Sequence, residues 1–196
     1  MQKAIAKYLS PAEYLQWEEQ EEEKHEYEDG VIYGMAGASE AHIIITDNFT
    51  ALLVPKLRGS QCRSFSSDMR VEITEKNIYY YPDLLVTCDQ RDRLHRNHKN
   101  YPCLIIEVLT ESTELRDRGV KFAHYQTIES LQEYVLVSQS EQRVEVFRRC
   151  DRKLWLLQTF TTGETVQLQS INLEIPIAEI YAGVDLVNYD NAEKKV

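Results

Sequence analysis

Residues 81–87, Tyr-Pro-Asp-Leu-Leu-Val-Thr, and 103–110, Cys-Leu-Ile-Ile-Glu-Val-Leu-Thr, decide the fold predicted for this chain. Both are short and almost continuously apolar, a pattern typical of strands buried on both faces of a sheet. Each carries one carboxylate that an ordinary core strand excludes, Asp83 in the first and Glu107 in the second. Because a buried carboxylate is costly unless it is paired or binds a metal, the two acids form a candidate site. Lys121, on the next segment, is their candidate partner.

Local signals place other elements around these strands. Ser10 and Glu13 predict the capped start of a helix, and Asp29-Gly30 predicts a hairpin turn. A second helix runs from Ser39 to about Gly59. Apolar or alternating segments predict further strands at 69–74, 78–81, 133–137, 143–149 and 153–161, and a helix at 114–128. The fold class is therefore α/β (α+β), a mixed β-sheet in helix-strand-strand-strand-helix-strand order, flanked by helices and with added antiparallel hairpins.

Composition limits the class of protein. A chain of 196 residues with 43% hydrophobic and 28% charged residues is typical of one globular domain, here 1–196 with a flexible tail from about 188. No apolar run is long enough to cross a membrane, and no signal peptide is evident. Four cysteines without a CxxC pair, two of them (Cys88 and Cys103) in predicted core strands, favour reduced thiols in a cytoplasmic protein. The net charge of −10 repels phosphate, so contact with DNA needs a basic patch, a bound cation or both.

An ordered set of motifs resembles the PD-(D/E)xK nuclease superfamily, and most closely its bacterial, cyanobacteria-rich branch of restriction-endonuclease-like proteins. The central part of the set consists of Pro82-Asp83, Glu107-Val108-Leu109, Ser112-Thr113, Asp117, Lys121 and Tyr125. Upstream and downstream matches at Glu26, Asp29-Gly30, His42 and Glu133-Tyr134 extend the resemblance to residues 10–180. It implies a restriction-endonuclease-like core and a metal-dependent endonuclease that hydrolyses DNA as a homodimer.

The chain departs from the superfamily pattern at one position. Leu109 stands where the superfamily has its lysine, two residues after the second acid. The branch has an aliphatic or small residue there and a lysine on the following helix, which corresponds to Lys121. Asp117, Lys121 and Tyr125 are four residues apart, so they share one helix face. We therefore expect Lys121 to reach the acids from the helix.

The resemblance also implies roles for individual residues. Asp83, Glu107 and the backbone carbonyl of Val108 would bind Mg²⁺ or Mn²⁺, which prefer hard oxygen ligands. Lys121 would stabilise or help to deprotonate the attacking water. The supporting residues would be Glu26, His42, Asp117 and Tyr125.

The segment between the two acid-bearing strands is locally basic. It contains Arg91, Arg93, Arg96 and Lys99. These side chains could bind a phosphate backbone beside the site. A solvated, mobile loop explains the same composition equally well, so both interpretations stay open.

Two other hypotheses compete with a nuclease. The displaced lysine and the net charge of −10 are compatible with a catalytically weak or inactive nuclease fold that serves as a binding or regulatory module. Alternatively, Glu107 and Lys121 form a structural ion pair in a protein without a metal site.

Overall fold

The computed structural model describes residues 4–35 and 37–186; the flexible tail expected from about residue 188 lies outside these ranges. The described elements are, in chain order, β1 (Ala4–Tyr8), α1 (Pro11–Glu18), β2 (His25–Glu28), β3 (Val31–Gly34), α2 (Glu40–Leu57), β4 (Arg63–Ser66), β5 (Arg70–Ile73), β6 (Ile78–Tyr80), β7 (Leu84–Thr87), β8 (His98–Lys99), β9 (Pro102–Leu109), α3 (Glu114–Arg116), a π turn (Asp117–Lys121), α4 (Phe122–Tyr125), β10 (Glu133–Ser138), β11 (Arg143–Arg149), β12 (Trp155–Thr161), β13 (Thr165–Leu168), β14 (Leu173–Pro176) and α5 (Ile177–Ile180).

The central sheet has the strand order β12-β11-β10-β9-β7-β4. Strands β9 and β10 are parallel, and the other neighbouring pairs are antiparallel. All residues of β7 and β9 are buried, as their continuous apolar runs predict. Successive residues point to opposite faces, so β9 contributes Leu104 and Ile106 to a core beneath α2, and Ile105 to a second core with Tyr125 and Tyr134.

The predicted helix-strand-strand-strand-helix-strand order is present as α2, β4, β7, β9, the helical segment 114–125 and β10, but its first strand is β4 and not the predicted segment 69–74. The sequence patterns missed β4, Arg-Ser-Phe-Ser, because this edge strand is half exposed and has no apolar run. Strands β5 and β6, which were predicted, belong to a second sheet with the order β1-β3-β2-β6-β5-β8.

The predicted local signals form as expected. Ser10 and Glu13 make a reciprocal capping box at the start of α1. Asp29 and Gly30 have φ angles of 41° and 103°, and the positive φ at both positions fits the tight hairpin turn between β2 and β3. This hairpin places Glu26 beside the start of β7, where Glu26 Oε1 accepts a hydrogen bond from the backbone N–H of Tyr81 (3.3 Å).

The prediction of reduced thiols is wrong for two of the four cysteines. Cys62 and Cys88 form a disulfide that joins the ends of β4 and β7, whereas Cys103 is a buried thiol and Cys150 an exposed one. No pattern in the sequence predicts the disulfide partner of Cys62, because the pairing depends on the register of two strands. Among the described residues, no helix is both long and apolar enough to cross a membrane.

Candidate active site

The two predicted acids meet at one end of the β7–β9 pair. The register pairs Leu84 with Ile106, so Asp83, just before β7, faces Glu107 across the ladder. The backbone N–H of Asp83 lies 3.4 Å from Glu107 Oε2, and Asp83 Oδ2 accepts a hydrogen bond of 2.7 Å from the N–H of Val108. The strand pairing therefore brings together Asp83, Glu107 and Val108, as the sequence predicted.

Lys121 reaches the acids from the helical segment, although Leu109 occupies the position of the superfamily lysine. Its Nζ lies 2.8 Å from Glu107 Oε1, 3.0 Å from Glu26 Oε1 and 3.5 Å from Asp117 Oδ1. The lysine side chain is only 6% exposed. Asp117 and Lys121 bound the π turn, a local widening of the helix that recurs at functional sites.

Arg116 is a site residue that the sequence analysis missed. Its guanidinium contacts Glu26 with one nitrogen and Glu28 with another. It also lies 5.3 Å from the ring centre of Tyr80. Glu26 and Arg116 are 90 residues apart in the chain, so no local pattern could indicate this pair. Glu26 thus contacts two cations, Lys121 through one oxygen and Arg116 through the other.

His42 and Tyr125 support the two central acids. Ser39 caps α2 by accepting a hydrogen bond from the N–H of His42, which places His42 in the first turn. His42 Nε2 lies 3.1 Å from Asp83 Oδ2. The buried hydroxyl of Tyr125 donates to Glu107 Oε1 (3.2 Å). Each central carboxylate is therefore held by a side chain from a different element.

The site has an excess of carboxylates over cations. Burial, reinforced by the neighbouring carboxylates, raises the pKa of Glu107 well above its ordinary value, and burial also raises the pKa of Asp117. Burial alone would lower the pKa of Lys121, but the charges of Glu107, Glu26 and Asp117 outweigh it and raise that pKa well above its ordinary value. Lys121 is therefore held as a cation, and the remaining negative charge favours protons or a metal cation.

Six of these side chains line an open cleft of about 570 Å³: Glu26, His42, Asp83, Glu107, Asp117 and Lys121. The other lining residues include hydroxyl and amide side chains from several loops: Ser39, Ser67, Thr110, Ser112, Thr113 and Gln139. The segment after α1 adds Glu22, Glu23 and Lys24 to the lining of the cleft. The cleft is wide enough for a ligand to approach Asp83, whose side chain is 14% exposed.

The donor set matches one kind of metal site. Within residues 4–35 and 37–186, no three His, Cys, Asp or Glu side chains form a ready-made metal cage. Mg²⁺ does not need such a cage, because it keeps several waters and is commonly held by one or two carboxylates together with substrate phosphates. Asp83 and Glu107 are adjacent hard oxygen donors of this type. The residues therefore fit a hard divalent cation such as Mg²⁺ or Mn²⁺.

The two ends of the basic loop lie away from the acids. The loop joins the far ends of β7 and β9, which are roughly 13 Å from Asp83 by the length of four strand residues. Lys99 is buried and donates to the carbonyl oxygen of Asp92 (3.0 Å), and Arg91 pairs with Asp89 (2.7 Å). The other two basic residues, Arg93 and Arg96, line a separate pocket of about 280 Å³. The antiparallel pairing places the strand ends that this loop joins opposite Asp83, whereas Arg96 also lines a pocket with Tyr81, which borders the cleft of the acids. Binding of a phosphate backbone by this loop stays a prediction.

The sequence matches one family over most of its length. The model of the Uma2 family, described as "Putative restriction endonuclease", matches residues 11–178. The chain belongs to the Uma2 family. This membership confirms the resemblance to the restriction-endonuclease-like branch on which the site prediction was based.

Related proteins agree with this assignment. The chain is 42% identical over 176 residues to the "Uncharacterized protein slr1290" of Synechocystis sp., covering 90% of this chain and 93% of that protein. It is 39% identical over 168 residues to the "Uncharacterized protein sll1609" of the same organism, covering 85% and 94%. Both relatives come from a cyanobacterium, as the resemblance implied.

A solved structure supports the fold. The chain is similar to a crystal structure of "a putative nuclease belonging to DUF820" from Anabaena variabilis, with a TM-score of 0.74 and 18% identity. The similarity covers 88% of this chain and 97% of that chain. At this identity the likeness concerns the fold, and it confirms the restriction-endonuclease-like architecture of this Uma2 protein.

Proposed function

We propose that this Uma2 protein is an endonuclease that hydrolyses DNA phosphodiester bonds with the help of Mg²⁺ or Mn²⁺. The observation that carries the proposal is the convergence of Asp83, Glu107 and Lys121 in one open cleft. The description of the Uma2 family as a "Putative restriction endonuclease" supports the same function. We further propose that the chain acts as a single domain, in the cytoplasm, and as a homodimer.

Asp83, Glu107 and the carbonyl of Val108 would hold the metal ion. When bound, the ion supplies a Lewis acid that activates water and neutralises charge on the phosphate. His42 holds Asp83 in position through the 3.1 Å contact, while Tyr125 and Lys121 fix one oxygen of Glu107. This arrangement leaves each metal-facing carboxylate with a partner that restricts its rotation.

Lys121 would act as a cation rather than as a base. Three carboxylates surround its ammonium group and raise its pKa, so it stays protonated at neutral pH. A protonated ammonium beside the cleft can stabilise the negative charge that develops on the phosphoryl oxygens. Between the two roles considered from the sequence, charge stabilisation therefore fits these contacts better than deprotonation of water.

A non-cleaving binding or regulatory module is the second candidate. It is favoured by the same contacts of Lys121, because an ammonium that neutralises Glu107, Glu26 and Asp117 has less charge to offer a substrate. In that case the cleft would bind a cation or a cationic ligand without hydrolysis.

Plasmid nicking separates the two candidates. Purified protein with Mg²⁺ or Mn²⁺ should nick supercoiled DNA, and Asp83→Asn or Glu107→Gln should reduce the rate roughly a hundredfold or more, the scale found when one preorganised electrostatic group is lost. Asp47→Asn, the same change on an exposed position of α2, is the matched control.

Calorimetry completes the test. Divalent metal should bind the wild-type protein and the Asp47→Asn variant, and binding should be lost in Asp83→Asn. Nicking that persists in both acid variants would rule out the proposed nuclease site. Metal binding by a folded protein that nicks no DNA would instead support the binding module.

A further inference from the structure

A second cavity, of about 280 Å³, shares no lining residue with the cleft of the acids. Arg63, the first residue of β4, forms one side of it, and Arg93 and Arg96 from the loop after β7 form another. The disulfide ties the two sides together, because Cys62 directly precedes Arg63 and Cys88 begins the loop. We call this cavity the arginine pocket.

The two acids that line the arginine pocket already have cations of their own. The carboxylate of Asp89 binds the guanidinium of Arg91 through both oxygens, at 3.0 and 2.7 Å. Asp92 is buried, and its Oδ2 accepts a hydrogen bond of 2.6 Å from the hydroxyl of Thr87. The buried ammonium group of Lys99 donates to the main-chain carbonyl of Asp92 (3.0 Å), so a positive charge lies beside that residue. Neither acid is therefore left to neutralise a further arginine.

The three arginines of the pocket have no acid partner. Among the residues that the structure describes, no carboxylate forms an ion pair or a hydrogen bond with the guanidinium groups of Arg63, Arg93 and Arg96, all of which belong to exposed residues. In a chain of net charge −10, this is a local surplus of positive charge. Because like charges that line one cavity repel each other, an anion between them is favourable.

The chemistry and size of the pocket select the anion. The planar fork of a guanidinium group matches the oxygens of a phosphate and can bind two of them at once. A phosphate monoester has three terminal oxygens and about two negative charges at neutral pH, whereas a backbone phosphodiester has one. A volume of about 280 Å³ lies just below the range of roughly 300–1,000 Å³ typical of small-molecule pockets, so it suits one phosphoryl group.

We propose that the arginine pocket binds a phosphate monoester dianion, either the terminal phosphate of a DNA strand or a free phosphate. This site differs from the phosphate contact expected of the loop alone. It adds Arg63 from β4 and leaves out Arg91 and Lys99, whose charged groups are held by contacts within the fold. It does not rest on the proposed nuclease activity, because it shares no residue with the acid cleft and needs no metal.

Calorimetry with inorganic phosphate tests the site. The titration is done at pH 8 in a chelator, so that no metal can hold phosphate in the acid cleft. The wild-type protein should bind, and Arg63→Gln and Arg96→Gln should each weaken binding about tenfold or more, the loss expected when one charged hydrogen-bonding group is removed. Both residues are exposed, so circular dichroism should show an unchanged fold. Arg152→Gln, the same change at an exposed turn between β11 and β12, should keep the wild-type affinity.

Two forms of a short single-stranded DNA distinguish the sources of the phosphate. One form has a phosphate at both ends and the other has hydroxyl groups there. Tighter binding of the phosphorylated form identifies the end of a DNA strand as the ligand, whereas equal binding of both forms, together with binding of inorganic phosphate, identifies free phosphate.

Three results overturn the proposal. The first is a wild-type protein that binds neither inorganic phosphate nor either DNA. The second is equal binding of the two DNA forms without binding of inorganic phosphate, because the arginines would then contact the phosphodiester backbone. The third is a wild-type affinity for the bound probe in both Arg63→Gln and Arg96→Gln.

Discussion

Replacing Lys121 by methionine tests how the site is held together. The change keeps the length of the side chain and removes its charge. In the wild-type protein the ammonium group lies within 3.5 Å of carboxylate oxygens from Glu107, Glu26 and Asp117. Glu26 keeps its contact with Arg116 in the variant, whereas Glu107 and Asp117 lose the cation that faces them. We therefore expect Lys121→Met to destabilise the metal-free protein strongly.

The expected loss follows from the burial of these groups. The side chains of Lys121, Glu107 and Asp117 are only 5–6% exposed, so solvent does little to screen the carboxylates. Removing one partner of a buried ion pair costs about 3–5 kcal/mol. The loss should shrink in mild acid, because Glu107 and Asp117 have raised pKa values and can take up protons there. A second substitution, Glu107→Gln, should restore part of the stability by removing one of the uncompensated charges.

Urea unfolding, followed by circular dichroism in a chelator, measures these effects. Lys56→Met, on an exposed turn of α2, provides the matched control and should change the free energy of unfolding by no more than about 0.5 kcal/mol. If Lys121→Met is as stable as this control at pH 8, the side chain of Lys121 does not form a buried ion cluster with Glu26, Glu107 and Asp117. A double variant with Glu107→Gln that is less stable than Lys121→Met alone would also contradict the argument.

Two further predictions concern other parts of the fold. Burial lowers the pKa of His124 below its ordinary value of 6.5. The stability this residue contributes is therefore complete above pH 6.5 and is lost as the pH falls from there through the folded-state pKa. His124→Gln should flatten this part of the curve of stability against pH, and an unchanged curve would contradict the assignment. The disulfide between Cys62 and Cys88 closes a loop with a sequence separation of 26, so Cys62→Ser should lower the free energy of unfolding by about 3 kcal/mol in the absence of reductant. Cys150→Ser should have no such effect, and a wild-type protein whose stability is insensitive to reductant would show that the bond does not form.

The sequence by itself determined the elements that carry the site. Apolar runs identified β7 and β9, and an acid just before the first strand and another inside the second marked the end of the strands where the candidate site lies, because an unpaired acid is costly in a buried strand. The four-residue spacing of Asp117, Lys121 and Tyr125 predicted that they share one helix face, and all three contact the acid cluster. These features follow from short-range geometry, in which side-chain direction repeats every two residues in a strand and about every 3.6 in a helix.

Only the tertiary structure decided which distant groups meet. It brought Arg116 to Glu26 across 90 residues and joined Cys62 to Cys88. It also placed the two ends of the basic loop at the end of the strands opposite Asp83, and left the apolar strand β12 at an open edge. Such contacts depend on strand order and register, which are set by the packing of the whole chain. No local repeat of the sequence encodes them, because residues far apart in the chain become neighbours only after the sheets have formed.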